Sequence, residues 1–592
     1  MFKIKLKYNI ILVVVSVKKE SNFKKALKYA KNQKKVFILY LISNITLTLI
    51  GAITPLFAAK QLLYITDGLL NKLLVISLCV FAIEITSNIA TYFSRKFAQI
   101  FSREVAKNIQ TELAQQVLNI ETADLDKKSS GVIIDRLTKD TTHISDIFIE
   151  MTFSFTDLIT NTGILFAIFV INKWIFLYYV IAVTIIFFLE KKRIKKFNER
   201  DKAFRKIAEQ NTGFVGELVR GIRDIKVLNA GKSFLKITHK KIEESNQERF
   251  KMSTVTRRYK LLTQSVKDIL DLLLILLFIF MINRNFLTIE AAVVVYMYRS
   301  KVFNLLTLFS NALEWYKDFN LSASRVFEII DSDIFRKEKF GNKHLDNIKG
   351  NFEFKDVHFG YTEDKEVLKG ISFKIKSKET ISFVGKSGAG KSTIFYLLAK
   401  MYNINSGDIL IDGISIKELD RDSIRGNISI ITQNPYIFNM TIRENLNIIK
   451  NNLTEEEMIE ACKMAELHDY IMTLPDQYDT LVGEGGLTLS GGQKQRLAIA
   501  RALVQKTEII LFDEATSALD NETQRSIQNA INNMKNKYTI LIIAHRLSTV
   551  INSDRILLIE NGIVSDTGTH QELLKKNKEY KKLYDLEIRK KK

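Results

Sequence analysis

The chain has 592 residues, of which 46% are hydrophobic and 26% charged, and it carries a formal net charge of +22. That length calls for several domains rather than one core, and the composition excludes a disordered chain, a collagen-like repeat and a disulfide scaffold. Cys79 and Cys462 have no Cys or His neighbour at metal-site spacing, which argues against a structural zinc.

Residues 1–20 contain one apolar run, Ile10–Val17, too short to cross a bilayer. No small-residue cleavage site follows it, so this remains an unassigned N-terminal segment. Residues 21–330 read as an all-α transmembrane domain. Its candidate spans are Val36–Ala59, Leu73–Phe93, Phe148–Ile171, Trp174–Leu189, Ile269–Ile282 and Ile289–Leu313. The fifth reaches spanning length only by taking in Leu261–Asp268, and Arg299 and Lys301 interrupt the sixth. Six such runs between residues 36 and 313 argue against a set of buried core helices.

Orientation follows from Lys and Arg. Short connections carry only Lys60, Lys72, Lys173 and Arg284, whereas a long one opens with Lys191, Lys192, Arg193, Lys195 and Lys196. The Lys-rich stretch before the first span belongs on the same side, which places both termini and both long loops in the cytoplasm of a bacterial-type plasma membrane. Positive charge therefore tracks an anionic membrane face, and nucleic acid is not an expected partner. Both long loops keep a helical pattern, for example Ser94–Ile120 and Arg193–Val227, so the spans should continue far beyond the bilayer. At ~1.5 Å per residue, Glu84, Asp157 and Asp271 fall in one slab near mid-membrane, with Lys267 and Arg299 close to it. Such groups pair or face an interior. Two readings stay open: carboxylates paired with the two cations, or a net acidic cavity that favours cationic cargo.

A polar stretch over 331–348 reads as a linker, and from 349 to 592 β-rich runs alternate with helical patterns, which argues for an α/β domain. Its most specific feature is Gly385-Lys386-Ser387-Gly388-Ala389-Gly390-Lys391-Ser392, a full P-loop match, as in a P-loop NTPase domain. It follows an apolar strand, Thr380–Val384, and opens a helix expected over Thr393–Lys400. Backbone N–H groups around Gly385, Ser387, Gly388 and Gly390 can approach phosphate oxygens, aided by the helix N-terminus near Thr393. Lys391 reaches the β- and γ-phosphates and the Ser392 hydroxyl ligates Mg²⁺. A second strand, Ile509–Phe512, ends in Asp513-Glu514. There Asp513 can hold the Mg²⁺ shell and Glu514 can polarise an attacking water. Between them lies Leu489-Ser490-Gly491-Gly492-Gln493, before a helix expected over Lys494–Leu503; its hydroxyl and glycine N–H groups make a second anion site.

P-loop, Leu-Ser-Gly-Gly-Gln and strand-Asp-Glu, in that order, resemble the ATP-binding cassette (ABC) transporter family, specifically its exporter-type half-transporters. The resemblance covers nearly the whole chain from about residue 22. It implies that Tyr361 stacks on adenine and that Gln433 couples nucleotide and Mg²⁺ to the membrane half. It further implies that Ser517-Ala518-Leu519-Asp520 crosses to a partner and that His545 senses the γ-phosphate. Where the family often has Gly-Glu-Arg-Gly, this chain has Gly483-Glu484-Gly485-Gly486. The cofactors implied are ATP and Mg²⁺. Each ATP would lie between the P-loop of one subunit and Ser490, Gly491, Gly492 and Gln493 of another. With six spans and intact motifs, a homodimer is favoured over a heterodimer with a similar chain. The turns docking on the cassettes should lie near Ile120–Lys128 and Gly221–Ala230. The activity implied is ATP-driven export of a lipid, drug-like molecule or peptide; import through the same fold and a cassette-gated channel are the alternatives.

Overall fold

The structure, a computed structural model, describes residues 21–591 apart from 127–129, 332–333, 347, 363, 451, 484–485, 514–520 and 544–549. The unassigned segment 1–20 therefore lies outside the described residues, as do Glu484 and Gly485 of the altered Gly-Glu-Gly-Gly stretch. Two compact units divide the chain, one formed by Met1–Leu118 with Ser130–Ile334, the other by Asn119–Ser129 with Phe335–Lys592.

The first unit is helical throughout. Its long helices are Lys34–Thr66, Leu70–Val117, Thr141–Ile171, Lys173–Arg220, Gly231–Asn283 and Ile289–Asp331. Three of these run to 48, 48 and 53 residues, or about 70–80 Å, more than twice a hydrocarbon core. The expected continuation of the spans is thus present. Where chain reversal must be tight, the Asn172 side chain accepts from the N–H groups of Trp174 (2.9 Å) and Ile175 (3.3 Å), capping the next helix. A buried cluster around Tyr179, Leu274, Val295 and Val302 holds neighbouring helices together.

Among the described residues, four helical stretches are long and apolar enough to cross a membrane: Asn22–Thr66, Leu70–Val117, Gly131–Ile171 and Lys173–Arg220. The fifth and sixth candidate spans fall short because Lys267, Asp268 and Asp271 punctuate one, and Glu290, Arg299 and Lys301 the other. Part of that charge is paired. Arg299 Nε donates to Asp271 Oδ2 at 3.3 Å and its guanidinium lies 3.9 Å from the Tyr296 ring centroid, whereas Glu84 is exposed.

In the second unit, strands β1 (Phe352–Phe359), β2 (Leu368–Ile375), β4 (Ser406–Ile411) and β5 (Ile414–Ser415) form an antiparallel sheet in the order β2-β1-β4-β5. A six-stranded sheet contains β3 (Thr380–Val384), β6 (Ile428–Ile431), β9 (Ile509–Asp513), β10 (Thr539–Ile543), β11 (Arg555–Glu560) and β12 (Ile563–Gly568), ordered β12-β11-β3-β10-β9-β6. The pair β7 (Met440–Thr441) and β8 (Leu481–Val482) stands apart. Strands β3, β9 and β10 are buried at every position, which explains their mainly apolar composition in a parallel sheet. An α/β domain was expected over 349–592. The stretch read as a linker packs with it from Phe335 onward, because Phe335 is fully buried and Glu338 takes guanidinium bonds from Arg421 and Arg425.

Candidate functional site

Strand register places the chemistry. Ile543 of β10 pairs with Phe383 of β3 on one side and with Asp513 of β9 on the other. The carboxyl ends of three adjacent parallel strands are therefore level, and that edge is where open α/β sheets bind ligands. β3 runs into the P-loop, β9 delivers Asp513, and β6, at the sheet edge, leads to Gln433.

The P-loop turns on its glycines. A Cβ at Gly385 would stand 2.1 Å from the Ile559 carbonyl oxygen. Gly390 sits at φ +99° and caps a helix that begins at Lys391 and ends at Leu398, two residues earlier than the expected Thr393–Lys400. Lys391, buried, donates from Nζ to the carbonyl oxygens of Gly385 and Lys386, both at 2.9 Å, so its ammonium lies inside the loop it serves. Ser392 Oγ donates to Asp513 Oδ1 at 3.0 Å. Hydroxyl and carboxylate, 121 positions apart in sequence, form a hard oxygen pair of the kind that would hold Mg²⁺. These residues fit Mg²⁺ and ATP.

Tyr361 is 45% exposed, and its hydroxyl shares a 3.1 Å hydrogen bond with Thr393 Oγ1 in the first P-loop turn. Its ring stands edge-on to Phe359 (5.0 Å) and Tyr402 (5.2 Å) and borders a cavity of about 500 Å³. Burial raises the Tyr361 hydroxyl above its ordinary pKa, with the Asp126 and Asp513 carboxylates adding to the effect. Tyr361 and Asp513 therefore share one electrostatic neighbourhood.

The Leu-Ser-Gly-Gly-Gln element is the start of its helix rather than its prelude. The helix spans Gly491–Gln505, and Ser490 is its N-cap. Ser490 Oγ accepts from the Gln493 N–H at 3.3 Å, and Gln493 Oε1 accepts from the Ser490 N–H at 2.8 Å. This capping box explains why the helix begins three residues before the expected Lys494. Ser490 and Gly491 remain exposed, Gly492 is buried, and a hydroxyl that accepts one bond still has a proton to donate. From the same helix, Gln495 Nε2 donates to the Gln433 carbonyl at 3.0 Å, tying that loop to the signature helix. Glu514, Asp520 and His545, together with Ser517, Ala518 and Leu519, lie outside the described residues.

Motif reasoning missed a group that reaches this site from far upstream. Residues 119–126, with a short helix at Thr122–Leu125, belong to the same unit. Asp124 is buried and accepts from the Arg336 backbone N–H (2.9 Å), Nε (3.2 Å) and Nη2 (3.0 Å). The Asp124 carboxylate raises the Arg336 pKa further. Tyr402 donates its hydroxyl to Asp126 at 2.5 Å, and Asn403 Nδ2 donates to Glu121 at 3.1 Å. The ring that Tyr402 sets against Tyr361 thus carries a hydroxyl bound to the upstream segment. A docking turn was expected near Ile120–Lys128, but no local signal named Asp124, Arg336 or Tyr402. The other expected turn holds a short helix, Ile222–Val227, with Val227 84% and Leu228 75% exposed.

Comparison with known proteins agrees with this geometry. Residues 37–306 match the model of the ABC transporter transmembrane region, and residues 368–517 match the ABC transporter model. The chain is 31% identical over 519 residues to an ATP-dependent lipid A-core flippase of Saccharophagus degradans, covering 87% of each protein. It is 29% identical over 589 residues to a putative multidrug export ATP-binding/permease protein of Bacillus subtilis, covering 95% of this chain and 99% of that one. A putative multidrug export ATP-binding/permease protein of Staphylococcus aureus is 44% identical over 263 residues, 44% of this chain and 46% of that one. With a P-loop and a strand-end acid level at one sheet edge, and an apolar helical unit in the same polypeptide, the chain is an integral membrane protein that belongs to the ABC transporter family, carrying its transmembrane region and its ATP-binding domain together as half-transporters do.

Proposed function

We propose that this chain is an ATP-hydrolysis-driven exporter that works as a homodimer, with six spans and both termini in the cytoplasm. The observation that carries the reading is the 3.0 Å hydrogen bond from Ser392 to Asp513, which joins P-loop and strand-end acid into one cation-binding pair. Bound Mg²⁺ would neutralise charge on the β- and γ-phosphates. Lys391 leaves its two carbonyl partners to meet the phosphates, Tyr361 stacks on adenine, and Gln433 would help to hold a bound Mg²⁺. Glu514 takes a proton from the attacking water. His545 donates toward the γ-phosphate, and Asp520 lies on the loop that meets the partner.

Ser490, Gly491, Gly492 and Gln493 present a helix N-terminus at the surface, where the ATP of a second subunit can complete its coordination. The exposed tip at Val227 and Leu228 is a second apolar surface that a partner subunit would cover. Closing and reopening of the cassette dimer would move residues 119–126 through Tyr402 and Arg336 and so switch access between the spans. The cargo class favoured is an amphiphile, a lipid or drug-like molecule, because the relatives are named for lipid A-core flipping and multidrug export.

Reconstitution into sealed vesicles tests this. With ATP outside, vesicles holding inside-out protein should accumulate a fluorescent cationic drug or flip a fluorescent lipid, and the Asp513→Asn variant should do neither. Hydrolysis with ATP-dependent release instead of accumulation would identify an importer, and conductance without accumulation would identify a channel.

A further inference from the structure

The helix Asn22–Ala30 sorts its residues by face. Phe23 packs on Phe148 and Phe319 with ring centroids 5.5 and 6.0 Å apart, Tyr29 stacks on Phe327 at 6.4 Å, and Ala26 and Ala30 are buried. Lys25 joins this packed side with its charge answered by Asp331 at 2.5 Å. The opposite face carries Lys24, Leu27 and Lys28, and Lys31 at i+7 continues it into the 3-10 turn Lys31–Gln33; all four are exposed.

Below that face, helix residue Leu27, 49% exposed, looks onto a groove of about 440 Å³ floored by Phe37, Phe101 and Phe148 and rimmed by Lys24, Lys28, Lys31 and Lys34. Lys24, Lys31 and Lys34 have no carboxylate partner among the described residues. Val36 opens the first span and Phe148 the third, so in the topology proposed above the groove lies where hydrocarbon gives way to cytoplasmic headgroups. An apolar floor beside three lysines, Lys24, Lys31 and Lys34, that no carboxylate answers among the described residues matches one class of molecule at that depth.

We propose that this groove seats an anionic phospholipid of the cytoplasmic leaflet. One acyl chain lies on Leu27, Phe37, Phe101 and Phe148, and the phosphate meets Lys24, Lys31 and Lys34. A free phosphate gains nothing from the apolar floor. A zwitterionic headgroup brings an ammonium to a rim that is already cationic, so its gain is smaller. The site is separate from the nucleotide residues and requires no transport step.

The test uses the full chain in detergent, titrated with dioleoyl phosphatidylglycerol or dioleoyl phosphatidylcholine and read by native mass spectrometry. Lipid binding in detergent does not depend on transport or orientation, so its outcome is independent of the exporter reading. The first phosphatidylglycerol should bind at least about tenfold more tightly than phosphatidylcholine, since each lysine near an anionic surface adds about a further fivefold. The Lys24→Gln/Lys31→Gln/Lys34→Gln variant should lose that preference, and Leu27→Gln should weaken both lipids alike. Soluble glycerol 3-phosphate should not displace the lipid. Thermal melting and basal ATPase activity close to wild type establish that the variants are folded. Equal binding of the two lipids, a preference that survives the triple substitution, or displacement by glycerol 3-phosphate would each overturn the proposal.

Discussion

Asp124→Asn removes the charge from the joint that holds residues 119–126 to the cassette. In the native joint one buried carboxylate accepts three N–H groups of Arg336, two of them from the guanidinium at 3.0 and 3.2 Å. An amide keeps a single acceptor oxygen and turns an N–H pair toward the guanidinium. Bonds to charged groups contribute about 1.5–3 kcal/mol each. The Arg336 side chain is 56% exposed, so screening holds the net loss to about 1–2 kcal/mol. That corresponds to a segment that opens ~5–30 times more often. Hydrogen exchange by mass spectrometry, on the peptide covering 119–126 of the full chain in nanodiscs, reads that ratio directly as lost amide protection. Arg336→Gln should show a similar loss, and the double variant should lose little more than either single one, because both remove the same contact. Protection in Asp124→Asn within about twofold of wild type, or fully additive losses in the double variant, would refute the joint as a holding contact.

Lys391→Ala should weaken ATP binding by about 10- to 100-fold, the loss of one charge-assisted phosphate contact, as measured by equilibrium titration of a fluorescent nucleotide; unchanged affinity would count against the P-loop role. Glu514→Gln should abolish steady-state hydrolysis by on the order of 10²–10⁴-fold while ATP still binds, and near-wild-type turnover of the purified variant would show that another group is the base. His344 Nδ1 meets Asp420 Oδ2 at 2.7 Å, which raises the His344 pKa above its ordinary 6.5 and helps lower Asp420, mainly through its Ser423 bonds, to about 2. A raised histidine stabilises the fold fully below the ordinary value and loses that share as pH climbs through the raised one. The melting-temperature gap between wild type and His344→Gln should therefore be present near about pH 5.5 and vanish by about pH 9. A gap that widens with pH would reverse the sign of the argument.

Much of the P-loop geometry was legible because its residues act over short range. Gly385 and Gly390 announce a loop that needs bare backbone, and the apolar strand before them and the helix after them are adjacent in sequence. Helix starts were misjudged by two or three residues for a local reason: Gly390 and Ser490 are caps, and capping lets the helix begin at the next residue. Register was not legible. Nothing in Ile509–Asp513 says that β10 intervenes between it and β3 and draws level with both. The Asp124–Arg336 joint was invisible for a stronger reason, since an exposed-looking acid in a loop has no periodicity to betray its burial. Charged residues interrupt the last two candidate spans, and the pairing of Asp271 with Arg299 across two helices is a long-range contact that the apolar runs do not reveal.

Because residues 119–126 complete the cassette from within the membrane half, the cassette cannot be finished in the order in which it is synthesised. Asp124 and Arg336 stand 212 positions apart. At a synthesis rate of roughly 5–20 residues per second, Asp124 waits on the order of 10–40 s for its partner to emerge from the ribosome. During that interval the helices on both sides of the segment are already available for membrane insertion. Insertion would therefore come first and final closure of the ATPase last. A fragment beginning at Phe335 would leave Arg336, Tyr402 and Asn403 without the acids that hold them, so cassette and membrane helices mature as one biosynthetic product.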